Sequence, residues 1–144
     1  MSGSNDARLV VGSACALWAE GKLTKLLRLF ADDAVFAVHS QPHAASFVGE
    51  GVGKVLFAQR LEMLLDQVEV LSFDPVGLTT TDRLWHYSRV RYRYRHHASR
   101  LVIAGTMRQK FGFVGDRIAH YELMHDTHRM RAFYNLAAHD ACAA

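Results

Sequence analysis

The residues in this chain with the right types and positions for chemistry cluster at the ends of strand-like runs. Asp126 closes the apolar run that begins at Arg117, His120 lies inside that run, and His86 stands near the start of another, Leu84 to His97. A carboxylate at the lip of a sheet, where it is buried among apolar groups, is held protonated more firmly than in water, so it can give and take a proton near neutral pH. A nearby imidazole supplies the complementary group. Asp126 with His86 or His120 therefore suits proton abstraction beside a carbonyl, or the addition or loss of water. Asp126 also stands just before Thr127-His128-Arg129, where a side-chain oxygen would cap a helix, so a structural role, a catalytic role and both together are open to it.

Strand alternation sorts the neighbours. Leu84, His86, Ser88, Val90, Tyr92 and Tyr94 fall on one face, expected to look inward, and Trp85, Tyr87, Arg89, Arg91, Arg93 and Arg95 on the other. Met107, Gln109, Phe111 and Phe113 share a face of the next run. Uninterrupted alternation puts Ile118, His120, Glu122, Met124 and Asp126 together, and a bulge would shift that set by one residue. Glu122 is expected to pair with an arginine. The arginine file reads as a solvated or partner-facing surface, with Glu69 and Asp74 as its counter-ions.

Nine histidines raise the question of a metal. No HxH or HExxH spacing occurs, and His96 and His97 point to opposite sides of a strand, so neither metal nor cofactor is expected. Phosphate loop, dinucleotide fingerprint and nucleophile elbow are all missing.

The elements that must hold these residues follow from periodicity. Asp6 can cap a helix through Trp18 that Gly21 ends. Leu23, Leu26, Leu27 and Phe30 make a second helical stripe, and Asp32-Asp33 then breaks the pattern before a strand from Ala34 to His39. A short extended piece over 46–48 and three glycines lead into a third helix through Asp66, apolar around much of its circumference and expected to be well buried. Val68 to Thr80 and Leu84 to His97 read as strands, with Asp74-Pro75-Val76-Gly77 as a turn. Leu101 to Asp126 reads as a long hairpin turning at Gly115-Asp116. A short last helix carries Met130, Phe133, Tyr134 and Ala137. This order predicts an α+β fold with helices gathered on one face of a curved antiparallel sheet.

At 144 residues, half of them apolar and 22% charged, the chain is expected to form one domain, with a core over about 6–137 and mobile ends at 1–5 and 138–144. A net charge of +3 is too small to point to nucleic acid, so no nucleic-acid partner is expected. No run approaches the roughly 20 apolar residues of a membrane span. Cys15 and Cys142 lack framework spacing, consistent with a reducing, cytoplasmic compartment. Leu9 to Ala19 serves better as a helix than as a signal segment.

The order Trp18-Ala-Glu-Gly21, Leu26 to Phe36, Phe47-Val-Gly49-Glu-Gly51, Gly115-Asp-Arg-Ile118 and Tyr121 to Asp126 resembles the nuclear transport factor two-like superfamily, and within it the SnoaL-like, polyketide cyclase-like branch. The resemblance implies a cone: a strongly curved sheet on three helices of the N-terminal half, enclosing an apolar pocket for a small lipophilic ligand, usually as a homodimer. It implies an isomerase, dehydratase, cyclase or hydrolase, or a non-catalytic binding module. Asp126 matches the position where cyclases keep a catalytic Asp. The ketosteroid isomerase base falls here on Val38, beside His39, so that base is missing, and the acid-arginine pair of the epoxide hydrolases is missing as well.

Overall fold

The computed structural model of the protein describes residues 4–39, 49–81, 84–125, 129, 132–133 and 135–136. Three helices and six strands follow in order: α1 Ser4–Ala19, α2 Leu23–Leu27, β1 Phe30–His39, β2 Gly49–Val52, α3 Lys54–Gln67, β3 Val68–Thr81, β4 Trp85–His96, β5 Val102–Val114 and β6 Arg117–Met124. Residues 129, 132–133 and 135–136 are helical, within the stretch where a last helix is expected. The piece expected over 46–48 lies outside the described residues.

α1 ends because Gly21 takes φ +71°. Its amide then bonds the Trp18 carbonyl and the Lys22 amide bonds Leu17, closing the two carbonyls that the helix end would leave bare. α2 is shorter than its stripe suggests. Phe30 is the first residue of β1 and pairs with Ile118, and the chain bulges over Asp32 and Asp33 before pairing resumes at Val35 opposite His120. The acids thus sit on an exposed bulge inside a strand. α3 buries only Phe57 and Leu64 fully, while Val55 and Met63 are exposed. The helix lies on the core by one edge and is not surrounded by it.

The sheet order is β2-β1-β6-β5-β4-β3. Every pairing is antiparallel except β1 beside β6, so the sheet is mixed and not purely antiparallel as expected. Asp74-Pro75-Val76-Gly77 is no turn. It runs inside β3 at a bulge, and proline is tolerated there because β3 is an edge strand with one side of its backbone unpaired.

The helices cover one face of the curved, open sheet, α1 on β3 and α3 on β1 and β3. Trp18, Phe30, Phe36, Phe57, Tyr94, Phe111 and Tyr121 fill the space between. β2 crosses very close to this core: a Cβ on Gly51 would fall 2.4 Å from Phe36, so only glycine lets the backbone pass.

Candidate functional site

The aromatic core does not close completely. It leaves a cavity of about 50 Å³ walled by Trp18, Phe30, Phe57, Tyr94, Gln109, Phe111 and Tyr121, with Arg60 of α3 at its edge. The wall is apolar apart from two hydrogen-bonded sets. Trp18 Nε1 donates to Tyr94 Oη at 3.1 Å, and Gln109 Nε2 donates to Tyr121 Oη at 2.8 Å. Cys15 Sγ donates to Gln109 Oε1 at 3.7 Å, which fixes the amide with its nitrogen toward Tyr121.

A phenol has one proton to give and lone pairs to accept with. Gln109 occupies the accepting side of Tyr121, and among the described residues nothing accepts the Tyr121 proton. Burial pushes the Tyr121 phenol well above its ordinary value, so it stays protonated and serves as a donor. The Cys15 thiol is pushed up to about 12, by burial first and by the charge of Asp74 second, and stays an inert thiol.

The structure separates the residues picked out by sequence. His86 is on the inner face of β4 and buried, as alternation predicts. Its Nδ1 shares a 2.9 Å hydrogen bond with Thr80 Oγ1, its ring meets Phe113 edge-on at 5.3 Å, and desolvation lowers its pKa. It stands opposite Phe111, which walls the cavity, but does not itself reach the cavity.

His120 faces the other way. Gly112 pairs with His120 and Phe113 with Ile118, leaving Ala119 as an extra residue. That bulge turns Tyr121 and Leu123 inward and sends His120, Glu122 and Met124 to the outer face, the reverse of uninterrupted alternation. His86 and His120 therefore lie on opposite sides of the sheet. Asp126 lies outside the described residues.

On the outer face Glu122 binds two imidazoles, His120 Nε2 at 2.8 Å and His39 Nε2 at 2.9 Å, with Lys110 at 3.4 Å. Among the described residues no arginine takes part, contrary to the sequence expectation. The hydrogen bonds from His120 and then His39 hold the Glu122 carboxyl down at about 2. Lys110 also stands 4.2 Å over the Trp85 ring. Along β4, Arg89, Arg91 and Arg93 of the arginine file are exposed as predicted, and its last member, Arg95, is half-buried and binds Glu69 at 3.0 Å.

Alternation leaves unmarked the residues that give the cavity its polarity. Gln109 carries a faint signal, a lone amide on an otherwise apolar inner face. Tyr121 carries none, because the bulge that turns it inward leaves no trace in residue type. His125, next after β6, is likewise buried, with its ring edge-on to Tyr92 at 6.4 Å, and desolvation lowers its pKa to about 4.

No protein-family model and no curated protein matches the chain. Solved structures do. A Xanthomonas campestris protein assigned as a polyketide cyclase is 13% identical, with 92% of this chain and 99% of that one covered and a TM-score of 0.77. An NTF2-like protein from Burkholderia xenovorans is 15% identical over 92% and 97%, with a TM-score of 0.73. A Catenulispora acidiphila protein with a ketosteroid isomerase-like fold, in complex with trimethylamine, is 14% identical over 81% and 84%, with a TM-score of 0.69. Six strands curved over three helices, an aromatic-walled cavity between them and these matches agree: the chain has the nuclear transport factor two-like fold, in the form shared by SnoaL-like polyketide cyclases and ketosteroid isomerase-like proteins.

Proposed function

We propose that this chain acts as one domain that binds a small, mostly apolar molecule in the central cavity and holds an oxygen of that molecule on the Tyr121 hydroxyl. The observation that carries the reading is the Gln109-Tyr121 pair: a buried donor, fixed from behind, in a wall whose other polar groups are the paired Trp18 and Tyr94 and the Arg60 at its edge. A ligand carbonyl or hydroxyl oxygen replaces water there as the acceptor. At about 50 Å³ the cavity falls well short of the roughly 300–1,000 Å³ that drug-sized ligands occupy, so the ligand is a compact one unless the walls part. The trimethylamine held by the Catenulispora protein is a molecule of that scale.

In the enzymatic form of this reading, Asp126 moves the proton and Tyr121 steadies the oxygen that gains negative charge, an arrangement for isomerisation, dehydration, cyclisation or hydrolysis. A placed donor of this kind contributes on the order of 10²–10³ in rate. His86 and His120 enter only as secondary candidates for the complementary group, since neither walls the cavity. That same fact favours a second reading, in which the domain binds without converting: among the described residues, no carboxylate or imidazole lines the cavity. Pairing into a homodimer, as the resemblance implies, belongs to both readings and is read by analytical ultracentrifugation.

The test is native mass spectrometry with chromatography on the protein, Tyr121→Phe and Asp126→Asn, incubated with small enones, ketones and epoxides. Loss of the Tyr121 hydrogen bond is expected to weaken retention by about tenfold, the equivalent of about 1–1.5 kcal/mol. Conversion that stops in a folded Asp126→Asn assigns the proton transfer to Asp126, and retention without conversion in either protein identifies a binding module. Equal retention by the protein and by Tyr121→Phe would sink the proposal.

A further inference from the structure

The outer face of the sheet carries positive charge that the cavity does not use. Arg89, Arg91 and Arg93 of β4 and Arg108 of β5 are exposed there, and among the described residues no carboxylate lies within ion-pair distance of any of them. Arg89 and Arg108 are direct cross-strand partners, so their Cβ atoms stand only about 5 Å apart on the same face. Like charges placed this way destabilise a sheet, and nothing in the fold requires either guanidinium.

The charge is also bounded. At one end of the β4 file Arg95 is tied to Glu69. On β5 the next outward cation, Lys110, is shared between Glu122 and the Trp85 ring. Between them Arg89 and Arg108 stand side by side, with Arg91 and Arg93 further along β4. Grooves of about 490 and 400 Å³ adjoin the side-by-side pair, both lined by Arg89, Arg108 and Met124, the first also by Thr106 and His125.

We propose that Arg89 and Arg108 form an oxyanion clamp that takes a phosphate group. The guanidinium forks match phosphate oxygens, a dianion offsets both charges at once, and Thr106 supplies a neutral donor beside them. The grooves have room for the body of a phosphorylated small molecule. The grooves adjoin Arg89 and Arg108 and are not lined by Arg91 or Arg93, so the site suits a compact phosphate better than a polyanion laid along the strand. The clamp is on the face opposite the cavity and does not depend on what the cavity binds.

The experiment is calorimetric titration with inorganic phosphate and pyrophosphate at low ionic strength, against chloride at equal ionic strength, on the protein and on Arg89→Ala, Arg108→Ala and Arg93→Ala. Removing either clamp residue is expected to weaken binding by about tenfold or more, as for loss of a charge-assisted hydrogen bond. Arg93→Ala is expected to stay within about twofold. Arg108→Ala in phosphate-free, low-salt buffer is expected to raise Tm by about 1–4 °C, because it relieves the repulsion. That gain also shows that the variant folds.

Vesicles containing phosphatidic acid identify the source of the phosphate. Binding to them as well as to pyrophosphate points to a lipid headgroup, and binding to pyrophosphate alone to a soluble ligand. Absence of phosphate binding, an equal response to chloride, or equal losses in Arg93→Ala and Arg108→Ala would each overturn the clamp. So would a single-stranded oligonucleotide that binds tightly and depends on all three arginines alike.

Discussion

Replacing Phe57 by alanine is expected to cost about 3–5 kcal/mol, the range for emptying a large aromatic site in a core. The ring is 2% exposed and stands at the centre of an aromatic group, 4.9 Å from Phe30, 4.9 Å from Phe36 and 5.7 Å from Tyr121. A domain has about 5–15 kcal/mol in all, so the variant should be folded with little to spare. Urea titration of protein and variant reads the difference directly. Phe57 also walls the cavity, so its removal merges new space with the existing 50 Å³. Apolar voids near 150 Å³ stay dry and accept benzene. Benzene should therefore raise the Tm of Phe57→Ala clearly more than that of the parent. A loss below about 1 kcal/mol, with no added response to benzene, would mean that the walls collapse and that the cavity is not a rigid feature.

Acid is expected to weaken the fold in two separate steps. His125 is buried and holds its proton only below about 4, whereas the unfolded imidazole takes one up near 6.5. Between those values the unfolded chain binds more protons, so stability is full above about pH 6.5 and falls as pH drops toward 4, by about 3 kcal/mol. Burial lowers His86 as well, and it acts in the same direction. Glu122 works the opposite edge of the range. Its carboxyl is held down at about 2 against an ordinary 4.5, so its contribution is present above 4.5 and is lost only as pH falls from there toward 2. Urea midpoints from pH 8 to pH 3 on the protein and on His125→Gln measure the first step. The variant should keep only the shallower slope that His86 leaves between pH 6.5 and 4, and an unchanged slope would place the acid sensitivity elsewhere.

Much of this architecture was legible because period-two alternation is a local signal. The inner and outer faces of β4 follow directly from it, while the turn at Gly115, which takes φ +62°, and the end of α1 at Gly21 follow from glycine, an equally local signal. What escaped depends on residues far apart in the chain. The extra residue at Ala119 reverses the faces of the last strand, and only its pairing with β5 reveals it. With the faces reversed, Tyr121 moves from the surface into the cavity wall and His120 from a candidate acid-base group to a partner of Glu122. Phe30 has a helical spacing but is claimed by Ile118 as a strand partner. Asp74-Pro75 has the letters of a turn, yet at an edge strand the missing amide costs nothing.

The one parallel pairing governs the order in which the protein can assemble. β3, β4, β5 and β6 are joined by short connections and lie side by side in chain order, so each can zip onto the one before at little entropic cost. β1 must instead reach across more than half the chain to lie beside β6, bringing β2 with it. The four-strand meander should form first and the N-terminal third dock last, so Trp18 and Phe30 complete the cavity only at the final step. In pulse-labelled hydrogen exchange, amides of β4 and β5 should gain protection before those of β1 and β2, and simultaneous protection would refute that order. The cavity is thus the last thing this chain makes, and any molecule bound in it would hold shut the segment that arrives latest.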